Sequence, residues 1–208
     1  DITFADPKTS LAESAIGAAL PALPTGRVLD GAFRPKLSRY GERHPVTAPL
    51  ASRSPDTWGR WHRQVDTTMT GGSVLMTGAD DRPLLALARF GDGRVAQILS
   101  DQIWLWARGH EGGGPHGELM RRLAHWLMAE PELEETRLKA TVIDDMLQLE
   151  RFTVEDDASA LVDVQMPDGS TAQATLARAE DGRATGAVPA PALGLYRATE
   201  GGRTALAM

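Results

Sequence analysis

From residue 136 onward the apolar positions of the chain recur every second residue. In "ALVDVQM" Val162, Val164 and Met166 alternate with polar neighbours, the period of a strand with one buried face. "LKATVIDDMLQLERFTV" reads as two strands about an Asp144-Asp145 turn. "ALVDVQMPDGSTAQATL" reads as a hairpin, and "LGLYRATEGGRTALAM" as a further pair about Gly201-Gly202, because Asp and Gly accept the backbone angles of tight turns. Six or seven short strands predict a small all-β sandwich of immunoglobulin-like type over residues 136–208.

The first 131 residues carry a different pattern. In "SLAESAIGAALPAL" Leu11, Ala15, Ile16 and Leu20 recur at helical spacing until Pro21, which predicts one short helix. Residues 24–73 are rich in Pro, Arg and Gly and read mostly as loop. "SVLMTG" reads as a buried strand, and "PLLALARF" and "RVAQILS" as a hairpin about Gly91-Asp92-Gly93. A helix is predicted over residues 115–129, with Pro115 at its first position and Glu118 at the positive end of its dipole. Leu119, Leu123, Trp126 and Leu127 form its apolar stripe. "EPELEE", residues 130–135, is an acidic connector, which sets the expected domains at 1–131 and 136–208.

Composition narrows the function classes. A net charge of -6 counts against nucleic acid as a partner, since that surface needs a basic face. Arg121-Arg122, a basic pair on the expected helix, reads as solvated charge. The chain has no cysteine, which removes disulfides, cysteine-zinc sites and thiol chemistry from these residues. No apolar run reaches the roughly 18 to 20 residues that span a bilayer, so a membrane is reached only through segments outside this chain. The start at Asp1 suggests a piece of a longer polypeptide.

Candidate chemistry concentrates in "WLWARGHEGGGPHGELM", residues 104–120. His110 and Glu111 are the candidate catalytic pair. Gly112, Gly113 and Gly114 precede the helix and would expose backbone N–H groups to an anion. Trp104 and Trp106, two apart, would project from one face of an extended segment, and Arg108 would stack on an indole. These six are the candidate ligand-binding residues. No metal is assigned, because Gly-Gly-Gly-Pro between His110 and His116 does not turn both rings to one point, as spacing i, i+4 on a zinc helix does. No cofactor is implied, since neither a Walker lysine nor a G-x-G-x-x-G after a strand is present. "WGRWHRQ", Trp58 to Gln64, reads either as an aromatic-basic surface or as a cover for a sheet edge, the second being favoured. Ser100-Asp101 lacks an oriented base, and Asp80-Asp81 and Asp156-Asp157 read as turn residues.

Taken in order, His44-Pro45-Val46-Thr47, the stretch from Pro83 to Asp101, Trp104, Trp106 and Trp126-Leu127 resemble the C-terminal half of bacterial class I glutamine amidotransferase-like domains. The version resembled is that of large membrane-anchored bacterial proteins, next to von Willebrand factor A-like segments. The likeness covers about residues 20–130, and Gly194 to Arg197 matches a "GLYR" strand of the β-domain that follows in that family. The resemblance implies an α/β, flavodoxin-like first domain whose leading strands lie upstream, followed by the β-sandwich. It also implies a periplasm-facing position in an inner-membrane protein. The family's catalytic cysteine would fall upstream. Its late histidine and glutamate are spaced His-x-Glu, whereas His110 and Glu111 are adjacent and would point to opposite sides of an extended segment. The expectation is therefore a non-catalytic binding or assembly module, its partner another protein or the rest of the same polypeptide. The alternative is an amidotransferase or related hydrolase with His110 as base and Glu111 as its partner.

Overall fold

Antiparallel pairing governs every strand of the computed structural model, which describes residues 2–6, 10–154, 160–178 and 183–208. Asp156-Asp157 lies outside the described residues. The chain divides into two units, Asp1–Leu133 and Glu134–Met208.

In the first unit β1 (Ala22–Phe33) pairs antiparallel with β3 (Trp61–Met69). A second sheet has the order β2-β4-β5-β6, from β2 (Lys36–Leu37), β4 (Ser73–Thr77), β5 (Pro83–Phe90) and β6 (Gly93–Ile98). Leu99 joins the two sheets: its amide donates to Leu84 (2.8 Å) and its carbonyl accepts from Val65 (2.9 Å). The Gln97 side chain repeats the join, with its Oε1 accepting from the Ala22 amide and its Nε2 donating to the Ala22 carbonyl, both at 3.0 Å. Among the described residues the unit also has three α-helices, α1 (Ile2–Ala5), α2 (Trp104–Ala107) and α3 (His116–Leu127).

The expected strand at "SVLMTG" and the Gly91-Asp92 hairpin form as β4 and as β5–β6, with Phe90 opposite Gly93. In α3, Leu119, Leu123 and Trp126 are buried in one core cluster with Leu75, Leu84, Leu85 and Trp106. Leu127, assigned to the same stripe, is 43% exposed. Arg122 is not merely solvated, for its guanidinium donates to the Pro45 carbonyl (2.9 Å) and ties α3 to the His44-Pro45 turn. There the buried His44 accepts from the Val46 amide through Nδ1 (3.1 Å) and lies edge-on to Trp126.

The glutamine amidotransferase resemblance and the α/β, flavodoxin-like fold it implied are corrected here. Such a fold needs parallel strands, each joined by a crossover of a dozen or more residues, usually a helix. Here only residues 78–82 separate β4 from β5, and only Gly91-Asp92 separate β5 from β6. Connections that short force antiparallel neighbours. The motifs behind the resemblance are turn and hairpin punctuation, which serves an antiparallel sheet equally well.

Two further expectations give way. Residues 10–21 are not one helix but two 3-10 turns, Leu11–Glu13 and Ala15–Ala19. Ser10 and Ser14 each accept an amide hydrogen bond two residues on, from Ala12 and Ile16, and Ser14 is extended, so the run breaks where a serine competes with the helix. Residues 24–73 are not mostly loop, since they hold most of β1, all of β2 and β3, and the start of β4.

The described residues of the second unit form a single seven-stranded sheet. Its strands are β7 (Thr136–Ile143), β8 (Met146–Thr153), β9 (Ala160–Gln165), β10 (Thr171–Arg178), β11 (Arg183–Pro189), β12 (Tyr196–Glu200) and β13 (Arg203–Ala207). The order is β13-β12-β9-β10-β11-β8-β7. The three expected hairpins form, with Ile143 opposite Met146, Gln165 opposite Thr171 and Glu200 opposite Arg203. Asp144 and Asp145 both take positive φ, the backbone of a tight turn matched to strand twist. The immunoglobulin-like sandwich is a correction: instead of two packed sheets, one sheet curls until its outer strands β13 and β7 lie side by side, a nearly closed barrel. Leu147, Leu149, Val162, Val164, Leu176 and Tyr196 fill its interior, and curling one sheet buries the alternating face that a sandwich would bury between two.

Candidate functional site

A cluster of polar and aromatic side chains forms in the first unit where the loop of residues 108–115 meets the start of β3. Its foundation is aromatic. Trp106 is buried, and its ring lies 5.3 Å from that of Trp58 and 4.9 Å from that of Trp61, tilted against both, an arrangement aromatic rings favour over face-to-face stacking. The Trp106 Nε1–H donates to the Gly59 carbonyl (2.7 Å), and the Gly59 amide donates to the Gly113 carbonyl (2.6 Å). Arg34 donates to the Trp58 carbonyl.

Two glycines make this approach possible. A Cβ on Gly59 would lie 2.1 Å from the His110 carbonyl oxygen, and one on Gly114 would lie 2.3 Å from the Trp106 ring. No side chain fits either gap, so the glycines allow the loop to close on the indole. Beside this contact Thr57, Trp58, Gly112, Gly113, Gly114 and Pro115 line a concavity of about 220 Å³.

Charge is organised above the aromatic layer. Arg60 grips Glu111 with two parallel hydrogen bonds, Nε to Oε2 (2.8 Å) and Nη2 to Oε1 (2.6 Å), and adds its own amide to Oε2 (3.2 Å). Such a fork is the strong form of a carboxylate contact. The Arg60 side-chain hydrogen bonds, then its amide and its charge, lower the Glu111 carboxyl from 4.5 to about 2. Glu111 itself sits at a φ of 48°, which non-glycine residues rarely adopt.

The structure thus places the expected residues as follows. His110 and Glu111 lie side by side, but His110 Nε2 is 3.9 Å from Glu111 Oε1, beyond hydrogen-bonding distance. The ring beside His110 is His62, with the two Nε2 atoms 3.5 Å apart. Gly112, Gly113 and Gly114 line the concavity. Trp104 and Trp106 do not share a face, because the segment is the short helix α2, with Trp104 54% exposed and Trp106 at 3%. Arg108 is exposed, and the guanidinium over an indole is that of Arg94, 5.1 Å from Trp126. Trp58 and Trp61 are buried in the core, so "WGRWHRQ" does not present them as an aromatic surface.

Ser100 donates to the Arg63 carbonyl (2.6 Å) and accepts from the Gln102 amide (3.1 Å), while Asp101 pairs with Arg63 (2.6 Å). Asp80 and Asp81 sit in a turn at positive φ. Among the described residues no group of three or more His, Asp or Glu side chains gathers as a metal cage. Arg60, His62 and Gly59 were not singled out one by one in the sequence. The available signal was that "WGRWHRQ" and "WLWARGHE" are both dense in aromatic and basic residues, which marks two segments fit to meet.

Compared with protein-family models, curated proteins and solved structures, the chain finds no match.

Proposed function

We propose that this chain is a binding or assembly module rather than a catalyst, its partner another protein or another part of the same polypeptide. One observation carries the reading: both carboxylate oxygens of Glu111 are engaged by Arg60. A carboxylate that orients a catalytic imidazole must accept a hydrogen bond from it, and Glu111 stands off His110. Its depressed pKa also leaves it a poor proton carrier near neutrality, where general acids and bases work best. The glycines and tryptophans beneath serve to lock the loop shut, giving a rigid surface around the concavity at Gly112–Gly114. Rigid, preformed surfaces lose little entropy on binding.

The test is turnover. Wild-type chain and His110→Ala are incubated with glutamine and with chromogenic ester and amide substrates. Equal rates at the buffer background are expected. A wild-type rate well above background that collapses in His110→Ala overturns the proposal.

A further inference from the structure

His62 and His110 come from distant parts of the chain, yet their rings meet nitrogen to nitrogen. The Nε2 atoms are 3.5 Å apart, with ring centroids at 5.7 Å and planes at 63°. Two neutral imidazoles in this pose satisfy each other poorly. One would have to donate to the other over a distance at the outer limit of a hydrogen bond, and two protonated rings would repel. A shared ion removes the conflict. Two histidine nitrogens bound to one tetrahedral metal at about 2.0–2.1 Å lie about 3.3–3.4 Å apart, within about 0.2 Å of the separation seen here.

We infer that His62 and His110 form a two-histidine site for a divalent transition metal of the nickel, copper and zinc class. Imidazole nitrogen suits these ions and not calcium or magnesium, which take oxygen ligands. Both backbones are held before any ion arrives. The His62 amide donates to Gln102 Oε1 (2.5 Å), and Gln102 is itself fixed through Ser100. The His110 carbonyl accepts from the Gly113 amide (2.8 Å) and packs on Gly59. Both residues are exposed, so water completes the coordination shell and the ion exchanges with solvent. Glu111 Oε1, 3.9 Å from His110 Nε2, stays with Arg60 and acts as a nearby negative charge rather than a ligand. On binding, each ring presents its Nε2 lone pair, its proton rests on Nδ1, and any displaced proton passes to water.

The full chain, freed of any histidine tag, is titrated calorimetrically with nickel chloride and with zinc chloride in a non-coordinating buffer. One ion per chain is expected, with binding lost in His62→Ala and equally in His110→Ala, and kept in His116→Ala and His125→Ala. Thermal melts of both site variants should match wild type in the absence of metal, because neither ring is part of the core. Absence of binding in wild type overturns the inference, as does binding that survives in either site variant or disappears in either control. Half an ion per chain, the mark of an ion shared between two copies, also overturns it.

Discussion

The first and second units build their interiors from different materials. The second is filled by aliphatic side chains in alternate register, from Leu147 and Leu149 to Val162 and Val164, with a buried Tyr196 whose hydroxyl donates to Ala192 (2.7 Å). Hairpin neighbours supply most of its pairing. The first unit packs Trp58, Trp61, Trp106 and Trp126 into one core and buries His44, Gln64, Asp66, Thr67 and Gln97 beside it. Three of those polar groups find partners far along the chain: Gln64 donates to Pro83 (2.6 Å) and accepts from Ala79 (3.0 Å), Asp66 meets Arg27 and Thr25, and Gln97 bonds Ala22. Stability is therefore concentrated in a few large or specifically paired side chains in one unit and spread over many small ones in the other.

The sharpest way to break this contrast is to remove one residue from each core. Trp126→Ala empties a large buried volume and should cost on the order of 3 to 5 kcal/mol, whereas Val164→Ala should cost about 2 kcal/mol. All five tryptophans lie in the first unit, so tryptophan fluorescence in urea reads that unit selectively, and amide hydrogen exchange in β9 reads the other. Equal losses would show that the contrast is one of composition only.

Gly114→Ala tests the close approach at the loop. Its methyl group would meet the Trp106 ring at 2.3 Å, and since backbone and indole must both shift, a loss of about 1 to 3 kcal/mol is expected. The same substitution at Gly91, with open space around it, carries no such overlap and only the strain of its positive φ. Urea melts that ranked the Gly91 variant as the more damaged would sink the proposed lock between glycine and indole.

Asp66→Asn probes the buried polar network. Burial opposes the charge of Asp66, but hydrogen bonds from Arg27 and Thr25 and the charges of Arg82 and Arg27 outweigh it, and the carboxyl is held below its ordinary value. The amide keeps the shape and loses the charge, so about 2 kcal/mol should be lost, the scale of hydrogen bonds to a charged group. Arg27 and Arg82 are largely exposed and rehydrate, which keeps the loss below that of breaking a fully buried pair. An unchanged urea midpoint would mean the network is incidental.

This same network explains what the sequence concealed. The hairpins at Gly91-Asp92, Asp144-Asp145 and Gly201-Gly202 are legible because turn residues and alternation act locally. β3 is not, because Gln64, Asp66 and Thr67 are buried polar residues that break the apolar pattern of a strand, and the partners of Gln64 and Asp66, at Thr25, Arg27, Ala79, Arg82 and Pro83, give no local sign. β1 hides for a related reason, as register shifts between Pro24 and Val28 and between Asp30 and Phe33 interrupt its period. At the site, the glycines and Trp106 stand out in the text. Arg60 and His62 acquire their roles only when β3 meets the loop, and no spacing rule spans 48 residues.

The smallest effect expected is the most specific. The Glu111 carboxyl is held at about 2, below its ordinary 4.5, chiefly by the Arg60 hydrogen bonds. A group whose pKa is lower folded than unfolded adds stability above the unfolded value and loses it as pH falls through the folded one. The Arg60–Glu111 contribution is therefore complete at neutral pH, begins to fade near pH 4.5 and is gone below about pH 2. Glu111→Gln cannot titrate, so its melting temperature, read by tryptophan fluorescence, should fall less steeply than wild type across that window. The two curves should lie closest at the acid end, with wild type the more stable at pH 7. Both residues are exposed, so the gap should also narrow in high salt. Parallel curves across the window would show that the fork does not hold the loop, and the rigidity of the surface at Gly112–Gly114 would then rest on the tryptophans alone.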